Sequence, residues 1–273
     1  MKHKDIASLI EQVAPLQLQE HYDNAGWQLG DPEQETSAII TTLDVTEETI
    51  QLAAEQGANL IVSHHPLLFH GVKQINPRRD YVSRTIIEAI RHGIAIYSAH
   101  TNLDNAPQGV NRRIGEVLGL TDVRPLAPLS TSQTAGLPAD FVKQCGSGIV
   151  GKLPASMLAY DFAQVVKQLF HIDALVTNAA DVDIQREIRT VALCGGAGDD
   201  FIADAVRCGA DAFLTGEVGY HFYFGHPELF IMCGGHYETE QFTSDLLRDL
   251  IGQKYPDLKA VVAPKSAPTA TII

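Results

Sequence analysis

Short apolar runs alternate with helical patterns through the first half of the chain. The runs at 37–43, 59–63 and 94–99 consist mainly of Ile, Val, Leu and Ala and are bounded by polar residues, as expected for buried strands. Segments between or after them place apolar residues three and four positions apart, which predicts helices. These helices are predicted at 46–56, 81–91 and 109–118. Strands that alternate with helices indicate an α/β sheet.

The second half repeats this alternation after an irregular segment. Residues 124–138 are rich in turn-forming residues and carry no periodic pattern, so we interpret them as an exposed connection. A boundary near this segment divides the chain into two α/β lobes, 1–125 and 126–273. The second lobe is predicted to contain strands at about 147–152, 173–177, 189–194, 211–215 and 229–233, and helices at 159–170, 199–207 and from 237.

The two lobes share a sequence pattern. Stretches 37–66 and 189–218 align without a gap as strand, helix, Gly-Ala and strand. A glycine after the helix is common to many β-α-β units, so four identities alone are weak support. Each lobe also carries a histidine and a carboxylate four residues apart, at 100–104 and 236–240. We hypothesise two related α/β lobes, each with a sheet flanked by helices, and a metal site between them. The aligned identities are Ile50/Ile202, Ala53/Ala205, Gly57/Gly209 and Ala58/Ala210.

Histidines and carboxylates are concentrated directly after three of the predicted strands. Residues four apart at a helix start lie on one face, so such a histidine and carboxylate can converge on a metal ion, and the carboxylate can bridge two ions. Pro66 holds His65 in an extended backbone, so the adjacent side chains point to opposite sides and can reach two different ions. The candidates are His64 and His65 after 59–63, His100 and Asp104 after 94–99, and His236 and Glu240 after 229–233.

The donor types indicate which ions are expected. Imidazole and carboxylate without thiolate suit zinc, manganese, iron or nickel, and bridging carboxylates suit two divalent ions with positions open for water. Taken alone, each segment also fits a capped strand end or a solvated helix start. Three segments with the same placement favour a shared metal site, and the open coordination favours catalysis over a structural role. His70, His92, His221 and His226 lack this placement and are assigned to the surface or to packing.

Charge and cysteine content limit the partners and the compartment. A formal charge of −13 without a Lys/Arg cluster disfavours nucleic acid, and a phosphorylated substrate would need metal ions to attract it. The four cysteines show no C-x-x-C spacing. No signal peptide and no apolar stretch long enough to cross a bilayer is evident, so a cytoplasmic location without a membrane partner is expected.

Two further segments have both a functional and a structural explanation. Asp23 and Asn24, followed by Gly26, have ordinary turn chemistry and would shape a loop beside the site. The glycine-rich segment 195–198 could present backbone N–H groups to a phosphate. It lacks the lysine of a P-loop and the spacing of a dinucleotide fingerprint, and a tight strand-to-helix turn explains it equally well.

Several of these segments resemble motifs of the YbgI-like, Nif3-like family of dinuclear metal-centre hexameric proteins, many of which are named GTP cyclohydrolase 1 type 2 homologs. Residues 23–30 are similar to the family's Asp-Asn-x-Gly-x-Gln-x-Gly motif. Residues 123–187 carry no family signature, and the long central insertion of some members is absent. The other similar segments are Ser-His-His-Pro-Leu-Leu-Phe at 63–69, His-Thr-Asn-Leu-Asp at 100–104 with Gly-Val-Asn at 109–111, Thr-Gly-Glu at 215–217 and Gly-His-Tyr-Glu-Thr-Glu at 235–240.

This resemblance implies a metal centre and an assembly. The implied fold is Nif3-like, with two divalent metal ions as cofactors. The implied assembly is a homohexamer in the form of a toroid, with its metal sites facing an internal cavity. The implied ligands are His64, His65, Asp104, His236 and Glu240.

Two residues are candidates for catalysis. The family motif implies that His100 lies near the metals, and we expect it to support a ligand or to transfer a proton. Glu217 follows another predicted strand and is a candidate base or supporting carboxylate. A glutamate near a helix N-terminus also has a purely structural explanation.

The expected function is that of a dinuclear metal-dependent hydrolase acting on a small molecule. The family name implies a nucleotide substrate, with ring-opening hydrolysis of GTP at the imidazole carbon of guanine. Two alternatives stay open, a metallo-phosphoesterase acting on nucleotides and a non-enzymatic metal-binding or metal-delivery protein. The carboxylate-rich, open coordination favours catalysis over delivery.

Overall fold

The fold, a computed structural model, is described for residues 1–264. These residues form two compact units, one made of Met1–Leu103 with the chain from Thr243, and the other of Asp104–Phe242. Each unit has its own sheet, flanked by helices. The predicted α/β class with two sheets is therefore confirmed.

The helices and strands follow one another along the chain largely as predicted. Within residues 1–264, no helix is long and apolar enough to cross a membrane. Up to Asp104 the elements are α1 (His3–Val13), β1 (Gly26–Leu29), β2 (Ile39–Thr42), α2 (Glu47–Gln56), β3 (Leu60–Ser63), α3 (Tyr81–His92), β4 (Ala95–Ser98) and α4 (Thr101–Asp104). They continue as α5 (Val110–Val117), β5 (Thr121–Ala127), α6 (Thr131–Thr134), α7 (Ala139–Val142), β6 (Ser147–Leu158), α8 (Ala159–Phe170), β7 (Val176–Thr177), β8 (Glu187–Ala197), α9 (Ile202–Arg207), β9 (Ala212–Glu217), β10 (Phe230–Cys233), α10 (His236–Glu240), α11 (Thr243–Lys254) and β11 (Ala260–Val262).

The first unit is built on a five-stranded sheet with the order β1-β4-β3-β2-β11. Strands β11, β2, β3 and β4 run parallel, and β1 pairs antiparallel with β4. Every residue of β2, β3 and β4 is buried. A parallel sheet covered by helices explains why these strands are continuous apolar runs in the sequence. Its core includes Ile40, Ile61 and Ile96 from neighbouring strands, packed with Ile50 and Ala53 of α2 and Ile86 and Ala89 of α3.

The second unit is built on a six-stranded sheet with the order β5-β6-β8-β9-β10-β7. Strands β8, β9 and β10 run parallel, whereas β5, β6 and β7 pair antiparallel with their neighbours. Buried side chains of the parallel strands form much of its hydrophobic core. This core includes Ala192, Phe213 and Ile231 from neighbouring strands, packed with Ile202 and Ala205 of α9.

The aligned identities of the two lobes have matching structural roles. Ala53 of α2 and Ala205 of α9 are both fully buried against the central strands of their own sheets. Gly57 and Gly209 follow these helices with φ of 69° and 72°, the left-handed conformation that ends many helices. The shared roles support the predicted relation of the lobes. Superposition of the lobes stays a prediction.

The division of the chain differs from the predicted lobes 1–125 and 126–273. The first unit ends at Leu103, and the chain returns to it from Thr243. The reason is strand pairing, since β11 extends the first sheet beside β2 and β5 extends the second beside β6. The contacts of these edge strands are far apart in sequence, and apolar periodicity does not reveal them.

The prediction that segment 124–138 is only an exposed connection is wrong for its first residues. It contains most of β5, an edge strand whose side chains are mostly exposed or half-buried. An edge strand with little burial shows no apolar alternation, which is why the sequence pattern missed it. Pro125 is tolerated there because an edge strand can lack one backbone N–H group.

Candidate metal centre

Three neighbouring strands of the first unit end beside one another. The register pairs Thr42 of β2 with Ser63 of β3, and Ser63 with Ser98 of β4. Because the strands are parallel, the residues that follow them emerge at the same edge of the sheet. These residues are Asp44 after β2, His64 and His65 after β3, and His100 after β4.

The three histidines of this edge form one cluster. The ring centroids lie 5.0 Å apart for His64 and His65, 5.2 Å for His64 and His100, and 5.6 Å for His65 and His100. One ring nitrogen from each lies within 4.8 Å of the others, so the group could hold a metal ion. His64 is fully buried, and the side chain of His100 is largely buried.

The Nδ1 atom of each of these histidines lies within hydrogen-bond distance of an oxygen atom. Carbonyl and carboxylate oxygens only accept hydrogen bonds, so in the neutral imidazole Nδ1 carries the proton and Nε2 carries the lone pair. Such a bond orients the ring and makes Nε2 the ligand atom. The partners are the Ala99 carbonyl oxygen for His64 at 2.8 Å, Asp44 Oδ1 for His65 at 2.8 Å and Asp23 Oδ1 for His100 at 2.6 Å.

Asp23 is the most constrained of these acceptors. Its side chain is 0% exposed, and it also accepts from the backbone N–H groups of Asn24 at 2.7 Å and Thr101 at 3.0 Å and from the Thr101 hydroxyl. Burial raises the pKa of the Asp23 carboxyl, but the interactions with His100 and Thr101 outweigh it and hold the pKa below its ordinary value. The carboxylate form is therefore the one that the fold stabilises.

The second unit holds a matching arrangement at the ends of its parallel strands. Glu217 is the last residue of β9, and His236 follows β10 at the start of α10. His236 Nδ1 lies 2.8 Å from Glu217 Oε1, and His236 Nε2 lies 3.1 Å from Glu240 Oε2. Glu240 is one helical turn after His236, which is why the two side chains meet on one face. Glu240 is buried, and Glu217 is exposed.

Asn111 of α5 connects Asp104 to this arrangement within the second unit. Its Nδ2 atom donates to the carbonyl oxygen of Asp104 at 3.1 Å, and its Oδ1 atom accepts from Gly195 N at 2.9 Å. Asn111 is itself buried. The backbone of Asp104 is thus held to the glycine-rich end of β8.

The glycine-rich segment 195–198 packs against the helix that carries His236 and Glu240. Gly196 has a φ of 63°, and a Cβ atom there would clash with the Glu240 carboxylate and lie 3.1 Å from His236 Nε2. The N–H of Gly195 is donated to Asn111, and that of Gly196 to Thr239 Oγ1 at 3.1 Å. Both donors are engaged within the protein, which favours a close-packing role over the phosphate-binding alternative.

The predicted site residues fall into two groups, each inside one unit. The first unit brings together His64, His65 and His100. The second brings together Glu217, His236 and Glu240. Asp104 belongs to the second unit, where its backbone carbonyl oxygen accepts a hydrogen bond from Asn111. The assignment of these residues as ligands stays a prediction.

Sequence reasoning missed three residues of these arrangements. Asp44 also follows a strand, so the rule that found the histidines could have found it. The local sequence around Asp23 indicates only a turn, because its partner His100 is 77 positions away. Asn111 stands out only as part of a family motif, and no local pattern marks its hydrogen bonds.

The fold and the donor groups define a class, that of α/β proteins with imidazole and carboxylate groups able to bind metal at the carboxyl ends of parallel strands. Residues 1–268 match the family model described as Duf34/NIF3 (NGG1p interacting factor 3). This chain therefore belongs to the Duf34/NIF3 family.

Known relatives and solved structures agree with this membership. The GTP cyclohydrolase 1 type 2 homolog of Clostridium acetobutylicum is 34% identical over 242 residues, covering 88% of this chain and 85% of that protein. The Bacillus cereus protein related to NIF3 has a TM-score of 0.87 at 23% identity and covers 100% of this chain and 99% of its own. Protein ybgI has a TM-score of 0.82 at 22% identity, with 98% and 100% covered. The structural likenesses support the Nif3-like fold.

Proposed function

We propose that the chain is a metal-dependent hydrolase in which His64, His65, Asp104, His236 and Glu240 bind two divalent ions. The observation that supports this most is the engagement of Nδ1 in all three ligand histidines by an oxygen atom, at 2.8 Å in each case. Metal-binding histidines characteristically have such a partner, which leaves Nε2 as the ligand atom. The donor set contains imidazole and carboxylate groups but no thiolate. It therefore suits zinc, manganese, iron or nickel, and it differs from a closed structural site built of thiolates.

The metal ions and the protein would divide the chemistry. Divalent ions bound by these donors supply Lewis acidity, which activates water and polarises the bond under attack. His100 is proposed to hold or transfer a proton at its Nε2 atom, because Asp23 engages Nδ1 and turns Nε2 away from itself. Glu217 is proposed to position His236 through the bond to its Nδ1 atom.

GTP is the first substrate to test. Relatives named GTP cyclohydrolase 1 type 2 homologs cover most of this chain. Hydrolysis would consume one water to open the imidazole ring of guanine and a second to release formate from the opened ring. A phosphodiester is the second substrate class, since a pair of divalent ions is also suited to phosphoester cleavage.

The experiment combines metal analysis with turnover. Purified wild type, His64→Ala and His236→Ala would be compared by elemental analysis, by formate release from GTP and by hydrolysis of bis(p-nitrophenyl) phosphate. His92→Ala is the matched control, since His92 is an exposed histidine at the end of α3. We expect metal and turnover to be lost in both ligand variants and kept in the control.

The other outcomes separate the alternatives. Turnover of the phosphodiester but not of GTP would indicate a phosphoesterase. Metal binding that depends on His64 and His236, without turnover of either substrate, would contradict the hydrolase and indicate a metal-binding or delivery protein. Metal retained in both variants would contradict the ligand assignment itself.

A further inference from the structure

The chain between β3 and α3 contains an exposed segment of unusual composition. Residues 69–79, here the basic loop, are eleven consecutive exposed residues. They include Lys73, Arg78 and Arg79 and no Asp or Glu, in a chain whose formal charge is −13. Three cations are too few to stand out in the sequence as a cluster, and their shared exposure is what groups them.

Two of these cations are available for a ligand. Among residues 1–264, the side chains of Lys73 and Arg78 have neither an ion pair nor a hydrogen bond, and Arg79 Nε lies 3.7 Å from Asp80 Oδ2. An exposed ammonium and guanidinium without a carboxylate partner suit phosphate groups, which accept charge-assisted hydrogen bonds from both.

The basic loop begins at the histidine cluster of the first unit. The Phe69 ring contacts the His100 ring edge to face, with centroids 5.9 Å apart and planes at 87°. The preceding residue is anchored, because Leu68 O accepts from Asn24 Nδ2 at 2.8 Å. Phe69 is therefore held beside His100, although it is itself 38% exposed.

A second exposed ring extends this surface. Tyr22 is 58% exposed, and its ring centroid lies 6.5 Å from that of Phe69. These two exposed aromatic rings, of which Phe69 contacts the histidine cluster, offer faces on which a planar ring can pack. The aromatic surface and the cations lie on the same stretch of chain, since Lys73 is four residues from Phe69, a span of at most about 14 Å.

We propose that Tyr22 and the basic loop recognise a nucleoside phosphate, with Phe69 and Tyr22 contacting its planar ring and Lys73 and Arg78 its phosphate groups. The choice of this location rests on the proposed function. A mononucleotide fits better than nucleic acid, because the charge of −13 would repel a long polyanion, while Lys73 and Arg78 can still bind the phosphates of a compact one.

Equilibrium binding to the metal-containing protein tests the proposal with three probes, GTP, guanosine and inorganic triphosphate. The double variant Lys73→Gln/Arg78→Gln is expected to weaken GTP and triphosphate by about tenfold and to leave guanosine unchanged. Phe69→Ala is expected to weaken GTP and guanosine by about tenfold and to leave triphosphate unchanged.

Matched controls remove the same groups elsewhere. Lys143→Gln/Lys152→Gln deletes two exposed cations of the second unit, and Tyr160→Ala deletes an exposed ring of α8. Neither control is expected to change any of the three affinities. Metal content, measured in parallel, should be unchanged in all variants.

Several results would overturn the proposal. The wild-type protein could bind neither GTP nor triphosphate, or the loop variants could bind the probes as their controls do. A single-stranded oligonucleotide that bound more tightly than GTP through the same cations would also contradict it. Binding that follows the expected pattern in a protein with no turnover would contradict the hydrolase and leave the recognition surface standing. If the protein turns over GTP and the loop variants leave KM unchanged, the hydrolase would stand and the recognition surface would be contradicted.

Discussion

His100 Nδ1 lies 2.6 Å from Oδ1 of Asp23, a carboxylate whose side chain is 0% exposed. The two residues are 77 positions apart in sequence. The loop before β1 is therefore joined to the residue that follows β4, and the orientation of the His100 ring depends on a buried charge.

Asp23→Asn keeps the shape of this acceptor and removes its charge. We expect the free energy of unfolding to fall by about 2 kcal/mol, because hydrogen bonds to a buried charged group are among the stronger ones. Denaturant unfolding measures the loss, and the 15N shifts of the His100 imidazole report whether Nδ1 keeps its proton. The control Asp140→Asn changes a carboxylate that is 93% exposed and should cost less than about 0.5 kcal/mol. Equal losses in both variants would contradict the assigned role of Asp23.

Gly196→Ala should disturb the part of the second unit that carries His236 and Glu240. Gly209→Ala is its matched control, since Gly209 has a similar φ of 72° but no atom of residues 1–264 lies within 4 Å of an added Cβ atom. Both variants should lose about 1–2 kcal/mol from the left-handed backbone alone. Only Gly196→Ala should also lose metal in elemental analysis, because its Cβ would displace the Glu240 carboxylate. Equal metal content in the two variants would show that the contact does not matter.

The buried thiol of Cys145 should make stability depend on alkaline pH. Burial raises its pKa from 9.0 to about 11. Below pH 9 the thiol is protonated in both the folded and the unfolded chain. Between pH 9 and 11 it ionises mainly in the unfolded chain, so the free energy of unfolding falls, by about 2 kcal/mol or less.

The measurement compares wild type with Cys145→Ser. The serine hydroxyl does not titrate in this range, so the difference between the two proteins isolates the thiol from the tyrosines. We expect the stability of wild type relative to the variant to decline from pH 9 to 11. A constant difference would show that the thiol ionises equally in both states.

The resemblance to a hexameric family predicts the assembly. Light scattering coupled to size-exclusion chromatography should give a mass near six times the 29.7 kDa of the chain. The mass should be independent of protein concentration over the measured range if the hexamer is stable. A mass equal to that of one chain would contradict this prediction.

The apolar patterns were sufficient to predict the α/β class and most elements of the two central sheets. Helix 159–170 was predicted with the bounds of α8, and the runs at 59–63 and 94–99 became β3 and β4. Burial gives parallel strands and amphipathic helices a local apolar pattern, which is why these elements can be predicted from sequence. The edge strand β5 and the short strand β11 show no such pattern.

The sequence by itself determined which side chains follow the parallel strands, and hence the candidate donors from His64 to Glu240. Only the tertiary structure decided what each donor touches. The bonds of His65 to Asp44, of His100 to Asp23 and of His236 to Glu217 join residues 19 to 77 positions apart. Periodicity reports burial within one element, whereas these bonds depend on the register between strands and on loop paths, which are set by the packing of the whole sheet.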